Sequence, residues 1–156
     1  MTTLAFLSPH EADVAPVSPL RHVAGEAFTD VSALGKLEIR GDTDNLDVDA
    51  IPIGVGRVLL VFEGDVRAMR DRLTADGYRV YDMTAALAAL ELDGEDLLRR
   101  LTELDLDALP AIGSIARGTP ALIERRGGER FRLFVPQELG HFVAEVVTDM
   151  GRGLRR

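Results

Sequence analysis

Apolar and polar positions follow two different periods along this chain, and the switches between them outline its elements. Gly35-Lys36-Leu37-Glu38-Ile39-Arg40-Gly41 alternates, as a half-buried strand does. Arg57 to Glu63 is a nearly continuous apolar run, which predicts a strand buried on both faces. The period then changes. Val66, Met69 and Leu73 share one helical face behind Asp65, a suitable N-cap, and Gly77 stands where a helix needs a left-handed residue to end. Tyr78 to Thr84 reads as extended chain, Ala89 to Asp93 as a strand, and Leu97, Leu98, Leu101 and Leu104 as a short helix stopped before Pro110. Ala121–Arg126 and Arg130–Val135 flank Gly127-Gly128, a hairpin signal. Pro136 then opens a helix whose apolar stripe is Leu139, Phe142, Val143, Val146, Val147 and Met150, with Gly151 as its expected stop.

Two of these stretches match each other. Asp30-Val31-Ser32-Ala33 and the Leu37-Glu38-Ile39-Arg40-Gly41 that follows resemble Asp82-Met83-Thr84-Ala85 and Leu90-Glu91-Leu92-Asp93-Gly94. Downstream, Ile51-Pro52-Ile53-Gly54 resembles Leu109-Pro110-Ala111-Ile112-Gly113, and the strand and helix from Leu60 to Gly77 match those from Leu133 to Gly151. Neither half can bury its apolar face alone. The expectation is an α+β domain of two similar strand–strand–helix halves, residues 28–78 and 79–151, about a pseudo-twofold axis. Its sheet would be mainly antiparallel with helices on one side. Residues 1–27, interrupted by Pro9, Pro16 and Pro19, read as an N-terminal arm, and residues 152–156 as a basic tail.

Composition narrows the chemistry. The chain has 156 residues, enough to bury a core unaided, and no Cys, which excludes disulfides, thiolate metal sites and a cysteine nucleophile. Three His argue against a histidine-rich metal site. No apolar run is long enough for a membrane span and no leader is visible, so the expected compartment is the cytoplasm. The net charge of −8 argues against nucleic acid as a partner. That charge is uneven, at +3 over residues 111–156 and −11 over residues 1–110, so one end is suited to docking by charge complementarity. Lys36 is the only lysine among 18 basic residues, which reads as coding bias.

Candidate sites follow, each beside a plainer alternative. The acidic loop Asp42–Asp49 fails the calcium-loop pattern, because positions 5 and 6 fall on Leu46 and Asp47. Gly54-Val55-Gly56 precedes a strand and cannot offer helix N–H groups to phosphate. Glu138, His141 and Glu145 share a helix face that reads as solvated. No Ser–His–Asp constellation is recognisable, so no catalytic residue is assigned and no metal is expected. Asp30 and Asp82 occupy equivalent places before a strand. Both suit turn closure, and either could hold an amine or a pterin ring. Arg117, Arg125, Arg126, Arg130 and Arg132 gather around the predicted hairpin, as a solvated face or as a docking surface for an acidic partner.

Asp82-Met83-Thr84, Leu90-Glu91-Leu92-Asp93-Gly94, Leu104-Asp105-Leu106-Asp107 with Leu109-Pro110, Ala116-Arg117 with Pro120-Ala121-Leu122-Ile123, and Phe131-Arg132-Leu133-Phe134-Val135-Pro136 resemble the second half of the sarcosine oxidase gamma subunit family. Ser18-Pro19-Leu20-Arg21-His22 is similar to that family's N-terminal element. The wider group includes the glycine-cleavage T-protein and other folate-binding domains. The resemblance implies a T-protein-like fold and a non-catalytic gamma-type subunit of a heterotetrameric flavoenzyme. Such an enzyme oxidises sarcosine or a similar N-methyl amine and passes the one-carbon unit to tetrahydrofolate. It implies FAD, FMN, NAD and tetrahydrofolate on the complex, with none expected on this chain, and larger flavoprotein subunits as partners. The alternative is a free-standing domain that binds folate or another one-carbon carrier.

Overall fold

The computed structural model describes residues 17–23 and 25–154. Two antiparallel sheets form from nine strands: β1 (Thr29–Asp30), β2 (Gly35–Arg40), β3 (Ile51–Gly54), β4 (Arg57–Phe62), β5 (Arg79–Asp82), β6 (Leu87–Asp93), β7 (Ala111–Ile115), β8 (Thr119–Gly127) and β9 (Arg130–Pro136). Three helices join them: α1 (Val66–Ala75), α2 (Glu95–Leu101) and α3 (Gln137–Leu154). One sheet has the order β5-β2-β4-β3 and the other β1-β6-β9-β8-β7.

Read in that order, the sheets are copies. β2, β4 and β3 of the first half correspond to β6, β9 and β8 of the second. Each half lends its leading strand to the other: β1 pairs with β6, and β5 pairs with β2. The register agrees residue by residue, because Leu37 faces Leu60 where Leu90 faces Leu133. The second half is longer by α2 and β7. This topology corrects one match. β3 pairs with β4, whereas β7 pairs with β8 and not with β9, so the counterpart of Ile51–Gly54 is β8 rather than the Leu109–Gly113 stretch.

Each sheet carries helices on one face only and presents the other face to its twin. Leu37, Ile39 and Leu60 pack on Leu73 of α1. Leu90, Leu92, Phe131, Leu133 and Val135 pack on α2 and α3. Between the sheets, Ile51 and Leu59 meet Ala89, Leu122 and Phe134. This second layer explains one of two departures. β2 was expected half-buried, yet Lys36 and Glu38 are buried too, because their face looks toward the other sheet. β4 was expected buried throughout, yet only Leu59 and Leu60 are; Val58 and Phe62 border the cluster under α1 and Val61 borders the one between the sheets, each partly exposed.

The helix ends follow local chemistry in one case and packing in another. Asp65 Oδ1 accepts from the N–H of Arg67 at 2.8 Å and of Ala68 at 3.0 Å, and Gly77 has φ +93°. Gly151 does not stop α3, which runs on to Leu154. A Cβ at Gly151 would lie 2.7 Å from Ala27 Cβ, so this glycine lets the N-terminal segment lie against the helix. Pro136 ends β9, paired with Leu87, and α3 starts one residue later. Leu104 falls outside α2 and sits over Gly113 of β7. Leu20 is buried against the main core. Residues 1–16 of the expected arm, with Pro9 and Pro16, and residues 155–156 of the expected tail lie outside the described residues. Residues 152–154 belong to α3.

Candidate functional site

The halves are joined by a reciprocal clasp. Ser32 Oγ accepts from Ala89 N at 3.0 Å and donates to Ala89 O at 3.4 Å. Thr84 Oγ1 accepts from Lys36 N at 3.1 Å and donates to Lys36 O at 3.5 Å. Val31 N and Met83 N donate to the same two carbonyls. Asp30 Oδ1 accepts from Ser32 N at 3.0 Å and Asp82 Oδ1 from Thr84 N at 2.9 Å, closing the two turns identically. Asp30 also accepts from Ser18 Oγ. The two carboxylates therefore hold the clasp, and neither lines any of the clefts described below.

Lys36 lies within this clasp, wholly buried, with Nζ donating to Ser32 O and Leu34 O at 2.8 Å each. Burial lowers its ammonium to about 8, with Asp82 and Asp30 opposing that shift and Arg132 reinforcing it. Its repeat counterpart is Ala89, so the charge is a feature of one half only.

Charged residues populate the facing sides of both sheets. Arg132 pairs with Glu91 at 2.6 Å and with Glu124 at 3.3 Å, all on the inner side of the five-stranded sheet. Burial raises the Glu124 carboxyl above its usual range against the pull of Arg126 and Arg132, and its buried Oε1 makes no hydrogen bond. On the four-stranded sheet Glu38 accepts from Arg40 at 2.6 Å and Arg57 at 2.8 Å. Burial would raise the Glu38 carboxyl, but those two hydrogen bonds hold it below its usual range.

The five arginines singled out in the sequence do not form one cluster. Arg132 is buried in the ion network. Arg125 donates to Gly128 O at 2.9 Å, stacks over Phe131 with 4.6 Å to the ring centre and reaches Glu95 at 3.5 Å. Arg126 lies 3.8 Å from Glu124. Arg130 is exposed at the hairpin. Arg117 sits on the β7–β8 turn, at the opposite end of β8, because that strand is nine residues long.

Of the other sequence candidates, His141 Nε2 lies 3.3 Å from Glu145 with both side chains exposed, and Glu138 is exposed as well. His141 and Glu145, with His22, Asp149 and Arg152, border a polar cleft of about 380 Å³, which Glu138 does not line. Among the described residues, no group of three His, Asp or Glu side chains could hold a metal ion, and no helix is long and apolar enough to cross a membrane.

Sequence reasoning did not find the groove around Arg117. Two clefts, of about 550 and 470 Å³, share Arg100, Leu101, Ala116 and Arg117 and continue onto Phe142 and Val146 of α3. Its walls are tied together. Ala116 N donates to Leu101 O at 3.1 Å, and Thr102 Oγ1 donates to Ser114 O at 2.9 Å. Ala116 and Arg117 have φ of +39° and +65°, a left-handed pair without glycine. Phe142, expected in the buried stripe, is 38% exposed here. Only its excess over the buried Val143 and Val147 side of the helix could have signalled this.

Two pseudo-symmetric halves that exchange their leading strands, with an insertion in the second, define the class of this protein as a small duplicated α+β domain. No family model matches the chain, and no curated protein matches it in sequence. Among solved structures its fold is similar to a chain of the heterotetrameric sarcosine oxidase from Corynebacterium sp. U-96, determined in complex with pyrrole 2-carboxylate. The TM-score is 0.67 at 17% identity, over 86% of this chain and 94% of that one. At that identity the likeness establishes the fold. The sarcosine oxidase resemblance read from the motifs is thus met by a likeness of fold.

Proposed function

We propose that this chain is a non-catalytic, gamma-type subunit of a heterotetrameric sarcosine oxidase-like flavoenzyme in the cytoplasm. In this reading the complex oxidises an N-methyl amine and passes the one-carbon unit to tetrahydrofolate. The observation that carries it is the fold match, which spans nearly the whole of both chains. A partial match would fit a shared module, whereas this one fits a subunit of the same build. FAD, FMN, NAD and tetrahydrofolate would sit on larger flavoprotein subunits. The groups on this chain best placed for chemistry have structural work. Asp30 and Asp82 close turns, Lys36 is capped by carbonyls, and Arg132 is held between two carboxylates.

The test is purification of the tagged chain from its own cell. Larger flavin-bearing subunits should co-purify, and oxidase activity should follow the complex rather than the free chain. Recovery of the chain without any flavoprotein overturns the proposal. Heat released on titrating the isolated chain with tetrahydrofolate would favour the free-standing one-carbon-carrier domain instead.

A further inference from the structure

We infer that the groove between α2, the β7–β8 turn and α3 seats a segment of a larger partner subunit that presents a single carboxylate beside an apolar side chain. The inference rests on the subunit reading above and adds where the partner binds and what it brings.

The charges in the groove carry the argument. Its middle, shared by both clefts, holds Arg100 and Arg117 and no acid. Both arginines are exposed, and neither makes an ion pair or side-chain hydrogen bond among the described residues. Nearby Arg99 is different, being bound to Glu95 at 2.6 Å. The acids stand at the ends. Glu103 borders one cleft, and Glu145 and Asp149 border the other. Asp149 pairs with Arg152 at 3.3 Å, and Glu145 lies against His141. Such a distribution accepts one carboxylate at the centre and repels an acidic tract, which would meet the end carboxylates. The net charge of −11 over residues 1–110 repels acidic segments from most of that part of the molecule, so this basic centre also orients the approach.

The apolar contribution comes from Phe142, whose ring is partly open to solvent beside Val146 and Leu101. An aromatic residue next to arginines is the composition of interface anchors. The backbone supplies a third observation. Two consecutive non-glycine residues in the left-handed region are costly, and such strain persists where the surroundings hold it in place. Here the bonds from Ala116 N to Leu101 O and from Gly118 N to Ile115 O hold it, and the turn presents Arg117 at the groove.

The experiment is co-expression of the full chain with the large flavoprotein subunits that purify with it, followed by measurement of association over a range of salt. Arg100→Glu with Arg117→Glu should weaken the complex by about tenfold or more and flatten its salt dependence. Arg117→Gly separates docking from folding. It removes the same cation but relieves the left-handed backbone, so the melting temperature should rise while association falls. Arg130→Glu, at the hairpin end of β8, should leave association unchanged. A photoreactive benzoylphenylalanine in place of Phe142 should cross-link to a flavoprotein peptide containing Asp or Glu. If the wild-type chain binds the flavoprotein and both groove variants bind equally well, the groove is refuted while the subunit reading stands. The same holds if Arg130→Glu alone breaks the complex, or if the cross-linked peptide has no acid. If the wild-type chain binds no flavoprotein, both readings fall.

Discussion

Replacing Ser32 by alanine removes one oxygen that two main-chain groups of the other half depend on. Ser32 Oγ is the acceptor for Ala89 N–H at 3.0 Å, and the register places the groups of Ala89 on the β1 side of β6, away from β9. Ser32 is 6% exposed and Ala89 not at all, so water does not replace the lost acceptor. Orphaning a buried N–H costs about 1–3 kcal/mol. The weaker bond to Ala89 O at 3.4 Å adds little, since that carbonyl keeps Val31 N at 3.0 Å. For a chain of this size, a loss of about 2 kcal/mol lowers the melting temperature by about 4–8 °C. The twin substitution, Thr84→Val, orphans Lys36 N–H in the same way. Thr84 is only half-buried, so water partly compensates, and about 0.5–1.5 kcal/mol is expected. Urea denaturation of both variants measures this, with a shifted midpoint and an unchanged slope showing that the halves still unfold together. Hydrogen exchange should quicken at the Ala89 amide. A Ser32→Ala variant within about 0.5 kcal/mol of wild type, or a Thr84→Val variant that costs more than it, would refute the clasp as the joint between halves.

Three further outcomes are expected. Gly140→Ala places a Cβ 2.7 Å from Ala88 Cβ, so overpacking of about 1–3 kcal/mol should outweigh the helix-propensity gain of about 1 kcal/mol, and thermal unfolding should show a lower midpoint. Arg132→Met leaves Glu91 and Glu124 without their shared cation and should cost about 3–5 kcal/mol by urea denaturation. Adding Glu124→Gln should recover part of that loss, since the Glu124 carboxyl is already raised by burial. The Lys36 ammonium, lowered to about 8 from 10.5, makes the unfolded chain bind more protons between those values, so stability from this group rises with pH there. Wild type should gain on Lys36→Met by at most about 1.4 kcal/mol per pH unit above pH 8, and a stability difference that stays flat from pH 7 to 10 contradicts the burial argument.

The parts of this fold that were legible in the sequence are those in which a residue's conformation is decided by its neighbours along the chain. Asp65 caps α1, the apolar stripe of α3 recurs at helical spacing, and the glycine pair turns β8 into β9, where Gly127 and Gly128 have φ of +123° and +55°. The parts that were hidden are set by pairing. The stretch Ala111–Ile115 carries no strong alternation and becomes a strand because β8 extends past it. Gly151 has the identity of a helix stop, yet it serves the close approach of Ala27. The arginines show the same division. Their residue type and spacing suggested one common face, solvated or docking, but strand direction sends Arg132 inward to two carboxylates and leaves Arg117 at the far end of β8. No local pattern distinguishes those outcomes.

The duplication also separates scaffold from surface. Positions that match between the halves do the same structural work in both: Ser32 and Thr84 bracket a strand residue, Asp30 and Asp82 close a turn, and Leu37 and Leu90 face a leucine. Function that belongs to one partner and one orientation has to break that symmetry, because a symmetric surface would dock two ways. The symmetry breaks in the cores as well as at the surface. Lys36 stands opposite Ala89 and Arg132 opposite Leu59, and both of those charges are buried. The largest break is the insertion of α2 and β7, which has no counterpart in the first half. It builds two walls of the groove that brings Arg100, Arg117 and Phe142 together. A duplicated domain with an exposed, asymmetric and partly strained edge is suited to holding one partner in one orientation, and the insertion supplies that edge.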